Sequence, residues 1–226
     1  MKVSNKIVKQ QKKEPYIIIG TPCLNDAPIE FTDALVKGLK NFPYKYDFVY
    51  AKGALPCEGR DMIVREAIKQ GATHIMFIDS DIVFPSGSIE KLINHNTDIC
   101  SGLYFLKHFH NCTPVAWDKL GVREDNGRAV ARPIPKETAM QPYVEVDAVG
   151  FGFVLLKVEC LSAVAKEYNA VFMHDYGAGE DIAFCIRAKQ LGYKVMLDTT
   201  IPLIHLGSYG YSRADFLRTS KEGDNG

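Results

Sequence analysis

The sequence predicts an α/β domain built on a mixed, mostly parallel sheet with helices on both faces. Three observations carry that expectation. From Tyr16 to Tyr104, short apolar runs of strand character alternate with helical patterns in the order β-α-β-α-β-α-β. Ile75-Met-Phe-Ile78 is a continuous apolar run of strand length, as expected where a strand is buried on both faces. The chain has 226 residues, 46% hydrophobic and 24% charged, which is the size and balance of one globular domain with one substantial core.

The same balance narrows function. With 27 basic and 27 acidic side chains there is no general pull toward a polyanion, so nucleic acid is a disfavoured partner. The longest apolar runs are too short to span a bilayer, and the lysine-bearing start lacks the apolar segment of a secretory signal; a cytoplasmic location is expected. The 6 cysteines are scattered without a Cys-x-x-Cys pair and read as reduced, mostly buried thiols.

In chain order, residues 1–14 carry Lys2, Lys6, Lys9, Lys12 and Lys13 and form a basic flexible tail. Tyr16 to Ile19 is the first strand, closed by Gly20-Thr21-Pro22. Asp26 and Pro28 open a helix with Phe31, Leu35 and Leu39 on its apolar face. Tyr46, Phe48 and Tyr50 alternate as a second strand, a loop covers Gly53 to Gly59, and Asp61 opens a helix packed through Ile63, Val64, Ala67 and Ile68. The strand ending at Ile78 is third, a short helix ends near His95, and Asp98 to Tyr104 is the fourth strand. From Lys107 to Pro142 a loop-rich insertion interrupts the rhythm, with one strand around Val115 to Trp117. Tyr143 to Val149 alternates as a strand, broken by Gly150-Phe-Gly152, and Val154 to about Tyr168 returns to the core. A helix opens at Glu180-Asp181 and stops at Gly192, and two short strands, Val195 to Leu197 and Leu203 to His205, close the domain. Its limits are residues 15–216, followed by a polar flexible tail over 217–226.

Candidate chemistry gathers at strand ends. Asp79 and Asp81 leave a core strand together, where an open α/β sheet borders its ligand crevice. Two carboxylates one residue apart can reach a single hard cation that keeps places free for phosphate oxygens, although aspartates also simply cap turns there. Gly150-x-Gly152 removes two side chains, as a close backbone approach to a ligand requires and as a β-bulge also requires. Glu180 and Asp181 sit where the helix dipole favours negative charge, yet a cap needs only one of them. His205 ends an apolar strand, as a metal ligand or as a satisfied core histidine.

Taken together, Phe77-Ile-Asp79-Ser-Asp81, Gly150-Phe-Gly152-Phe, Gly179-Glu180-Asp181 with Leu191-Gly192-Tyr, and Ile204-His205-Leu-Gly207 resemble the ordered motifs of GT-A fold glycosyltransferases over about residues 16–207. The resemblance implies a single GT-A (Rossmann-like) domain that transfers a sugar from a UDP- or GDP-linked donor to a carbohydrate or other hydroxyl acceptor, with inversion. It implies a divalent cation, Mn2+ in preference to Mg2+, held by Asp79, Asp81 and His205. Thr21, Pro22 and Asp26 would border the nucleoside, Arg60 would face ribose or phosphate, and Gly150 and Gly152 would line the donor. This chain carries Asp61 where the family usually has asparagine after that arginine. Asp181 would be the catalytic base, with Glu180 orienting sugar or acceptor. Trp117 and the segments 107–142 and 172–179 would frame an acceptor groove, over which Tyr209, Tyr211 and Arg213 close.

Two other readings compete. Asp79-x-Asp81-x-Val83 after an apolar strand is also similar to the nucleophile loop of haloacid dehalogenase-like phosphatases, although that loop normally follows the first core strand. A non-catalytic nucleotide-sugar binding protein on the same fold is the third.

Overall fold

The computed structural model describes residues 14–107, 112–207 and 210–222. Most of the expected basic tail, Tyr209 and residues 223–226 lie outside the described residues. β1 (Tyr16–Cys23) leads into α1 (Ile29–Leu39), with Pro28 as N-cap, and then β2 (Lys45–Lys52), α2 (Pro56–Gln70) and β3 (His74–Ile78) follow. The expected start of the second helix at Asp61 is corrected to Pro56. Proline is preset for the first helical turn and its missing N–H costs nothing there, so residues 56–59, expected as loop, are helical.

β4 (Ile82–Val83), α3 (Ser88–His95) and β5 (Ile99–Gly102) complete the first half. The insertion is more ordered than its composition predicts. β6 (Ala116–Val122) and β7 (Ala129–Pro133) pair as an antiparallel hairpin braced by Asp118 and Arg132, and α4 (Lys136–Met140) follows. The single strand expected over Tyr143 to Val149 is divided: β8 (Tyr143–Val146) joins the main sheet while β9 (Ala148–Val149) pairs with β6. β10 (Phe153–Lys157), α5 (Val158–Tyr168), α6 (Glu180–Gln190), β11 (Val195–Asp198), β12 (Ile204–Leu206), β13 (Gly210–Tyr211) and α7 (Arg213–Glu222) close the fold. The polar segment expected after Phe216 is therefore helical as far as Glu222.

The central sheet has seven strands in the order β2-β1-β3-β10-β5-β11-β8. β2, β1, β3, β5 and β11 run one way, whereas β10 and β8 run against them. Alternate residues of each strand feed two cores. Ile17, Ile19, Met76, Ile78, Phe153 and Leu155 pack beneath α1 and α3 with Phe31, Ala34, Ile89 and Leu92. Ile18, Ile75, Phe77, Val154 and Leu156 pack beneath α2, α5 and α6 with Ile63, Val64, Leu161, Val164 and Phe184. Burial on both faces accounts for the unbroken apolar run of β3. Trp117, expected beside an acceptor groove, is half-buried and packs against both cores. Tyr46, Phe48 and Tyr50 lie on the edge strand and stay exposed. Among the described residues no helix is long and apolar enough to cross a membrane.

Candidate active site

The carboxyl ends of β1, β3 and β5 define one edge of the sheet, and the chemistry-bearing residues collect there. After β3 the chain turns sharply, Ile82 N–H donating to the Asp79 carbonyl at 3.0 Å, and β4 then pairs with β12. In that register His205 lies opposite Ile82, and Leu206 N–H donates to the Asp81 carbonyl at 2.8 Å. Two residues 124 positions apart, Asp81 and His205, are thereby held side by side (205 − 81).

His205 Nδ1 lies 2.7 Å from the Phe105 carbonyl, which only accepts, so the Nδ1 proton is assigned to that bond. With Nδ1 so engaged, Nε2 is the nitrogen that faces Asp81 Oδ1, at 3.5 Å. That oxygen is buried and has no hydrogen-bond partner. Lys107 ion-pairs with the other oxygen, Oδ2. Burial would raise the Asp81 pKa, but the His205 and Lys107 interactions outweigh it and hold the carboxyl below its usual range.

Asp79 turns the other way. Arg60 Nη2 donates to Asp79 Oδ1 at 2.9 Å, and its Nη1 donates to Glu180 Oε1. The guanidinium is 5% exposed and ties α2, the end of β3 and the mouth of α6 together. Its charge is retained despite burial, because the two carboxylates outweigh the desolvation that would lower its pKa. Burial pushes the Asp79 carboxyl up, with Arg60 opposing. Arg60, expected to face ribose or phosphate, is thus occupied by carboxylates, and Glu180, expected to orient sugar or acceptor, is 9% exposed and engaged with it. Among the described residues no three His, Cys, Asp or Glu side chains converge as a metal-holding group. Of the expected trio, Asp81 faces His205, while Asp79 pairs with Arg60.

Asp181, beside Glu180, accepts from the Ile182 N–H at 2.7 Å, and burial raises its pKa. Thr21 is 2% exposed with an unpartnered Oγ1. Pro22 lines a cleft of about 190 Å3 together with Cys23, Ala54, Pro56, Asp79 and Asp81. Asp26 is far more exposed, at 91%, and pairs with Lys52.

Gly150 and Gly152, expected to line the donor, make room for a side chain of this chain. A Cβ on Gly150 would stand 2.2 Å from the Tyr104 hydroxyl and 2.4 Å from Val115 Cγ1, and one on Gly152 would stand 2.8 Å from Tyr104 Cζ. The space they vacate is filled by Tyr104. Gly152 N–H donates to the Tyr104 hydroxyl oxygen at 3.0 Å, and the Gly152 carbonyl accepts from Asp79 N–H at 2.9 Å. Tyr104 is buried, its ring meets His205 edge-on at 5.5 Å, and burial followed by Asp79 and Asp181 raises its pKa well above normal. Sequence reasoning missed Tyr104 as a site residue. The available signal was its position just past a parallel strand's carboxyl end. Lys107 carried no such signal.

No family model matches the sequence, and no curated protein matches it significantly. Solved structures do match in shape. A197 from STIV aligns with a TM-score of 0.61 at 18% identity, covering 85% of this chain and 86% of that one. GalNAc-T7, solved with UDP, GalNAc and Mn2+, aligns with a TM-score of 0.59 at 8% identity, covering 93% of this chain and 48% of that one. At these identities the likeness defines the fold, a GT-A-like α/β domain, and the chain spans about half of the GalNAc-T7 structure.

Proposed function

We propose that this chain is a metal-dependent glycosyltransferase that moves a sugar from a UDP- or GDP-linked donor to a carbohydrate or other hydroxyl acceptor, with inversion at the anomeric carbon. The observation that carries this reading is Asp81 Oδ1, a buried carboxylate oxygen without a hydrogen-bond partner, 3.5 Å from His205 Nε2. A buried carboxylate oxygen without a hydrogen-bond partner is costly, and with an imidazole nitrogen beside it these residues fit a divalent ion. Asp81 and His205 would hold it, Asp79, which lines the same cleft, would have to turn from the Arg60 guanidinium to join them, and the imidazole favours Mn2+ over Mg2+. The presence of UDP, GalNAc and Mn2+ in GalNAc-T7, a protein of like fold, supports the same donor chemistry.

When bound, the cation supplies Lewis-acid stabilisation of the charge that grows on the leaving diphosphate. Thr21, Pro22 and Asp26 border the nucleoside, where the unpartnered Thr21 hydroxyl can meet a polar group. Asp181 removes the proton from the acceptor hydroxyl as it attacks, and its burial-raised pKa makes it a stronger base than an exposed aspartate. Glu180, fixed by Arg60, holds the start of α6 against the end of β3 so that Asp181 faces the reacting centre.

The test is a thermal-shift and transfer panel of UDP- and GDP-sugars with and without Mn2+. One matching donor should stabilise the chain in a Mn2+-dependent way, by about 2.7 kcal/mol at a hundredfold excess over Kd. His205→Ala should weaken Mn2+ binding at least about tenfold. Binding without transfer to any acceptor would leave a nucleotide-sugar binding protein, an aspartyl-phosphate trapped at Asp79 would make the chain a phosphatase, and no donor binding at all would remove the reading.

A further inference from the structure

We propose that Lys107 is a binding residue for the donor's diphosphate which, in the ligand-free protein, neutralises the Asp81 carboxylate from Oδ2, so that cation entry at Oδ1 and diphosphate capture form one exchange of partners. The proposal rests on the glycosyltransferase reading above. Two observations carry it. Lys107 Nζ holds Asp81 Oδ2, the companion of the buried oxygen that faces His205. The Lys107 stem also lies along Gly207, where a Cβ would stand 3.2 Å from Lys107 Cδ and 3.6 Å from Cγ. Any side chain at Gly207 would press on that stem. The segment that delivers His205 therefore also makes room for the lysine two residues later.

The energetics favour exchange over permanence. The Lys107 and Asp81 side chains are 35% and 31% exposed, and an ion pair so open to water is weak. A dication held by Asp81 and His205 neutralises that carboxylate and repels the like-charged ammonium on its other oxygen. Once displaced, Lys107 stands beside a dication without its carboxylate, and the nearest compensating anion is the diphosphate the same ion holds. A flexible stem bearing a compact charge suits that movement, since lysine binds phosphate as a point charge without fixed geometry. The exchange makes and breaks no covalent bond.

Isothermal titration of the whole chain, first with MnCl2 alone and then with UDP and with GDP at saturating Mn2+, tests this on the parent, Lys107→Met and Lys107→Arg. In Lys107→Met, Mn2+ alone should bind about threefold tighter, the scale set by losing an exposed ion pair. The nucleoside diphosphate should instead bind about tenfold weaker. Lys107→Arg, which keeps the charge, should keep both affinities closer to the parent than Lys107→Met does. Opposite signs from one exposed substitution are the signature. Equal or weaker Mn2+ binding by Lys107→Met, or unchanged diphosphate binding, overturns the Lys107 role and leaves the glycosyltransferase reading in place. No Mn2+ binding by any variant overturns the metal site itself, and this proposal with it.

Discussion

Arg60 Nη2 donates to Asp79 Oδ1 at 2.9 Å while Nη1 of the same guanidinium holds Glu180. One buried cation therefore sets where two of the site's acids stand. It also gives the two acids after β3 different partners: Asp79 answers to α2, Asp81 to β12.

Removing that cation strands two acids. Arg60→Met should destabilise the fold by about 3 kcal/mol, the lower end for breaking a buried pair, because Asp79 is 31% exposed and partly solvated. Urea denaturation at pH 7 measures it. A loss below about 1 kcal/mol would mean that Asp79 and Glu180 relax into water and that Arg60 is not their anchor.

Asp181→Asn should separate stability from activity. Transfer should fall about 10^2- to 10^4-fold with loss of the base. Burial raises the Asp181 pKa, so ionised Asp181 opposes folding at neutral pH, and Asn should raise Tm there. The gain should shrink on acidification and vanish below the unfolded aspartate value of about 3.9, where both states are protonated. Melting curves from pH 7 to pH 3 read the sign directly, and a Tm that falls at pH 7 contradicts it.

Gly152→Ala places a Cβ 2.8 Å from Tyr104 Cζ and should cost about 1–3 kcal/mol by overpacking. In a double-mutant cycle with Tyr104→Leu the two costs should fall short of additivity by at least about 0.5 kcal/mol, since the smaller side chain vacates the space. Strict additivity would mean that the glycine serves something other than Tyr104.

Asp198 gives an acid-stability prediction outside the acid cluster. It is 1% exposed and accepts from Thr200 N–H at 2.8 Å and Thr200 Oγ1 at 2.5 Å, with His95 Nε2 at 2.8 Å and Lys91 Nζ at 3.4 Å. Burial pushes its pKa up, but the Thr200 and His95 hydrogen bonds and the Lys91 charge outweigh it and depress the pKa. The stabilisation is complete above the unfolded value of about 3.9 and is lost as pH falls through the lower folded value. Asp198→Asn should cost about 2 kcal/mol at pH 7 and flatten the decline of Tm below pH 4. An unchanged acid limb in the variant would assign that decline to other carboxylates.

The sequence by itself determined the alternating α/β order, the doubly buried strand ending at Ile78, and the placing of Asp79 and Asp81 at that strand's carboxyl end. These follow from local periodicity, because residues a few positions apart decide which face is apolar and where a strand ends. Only the tertiary structure decided how the acids divide, since that depends on Arg60 reaching across α2 and on β4 pairing with β12, contacts between distant segments that no local pattern encodes. It likewise turned Gly150 and Gly152 into a berth for Tyr104 and set Lys107 on Asp81. A small residue in sequence marks a close approach; which atoms make that approach is settled by packing between elements far apart in the chain.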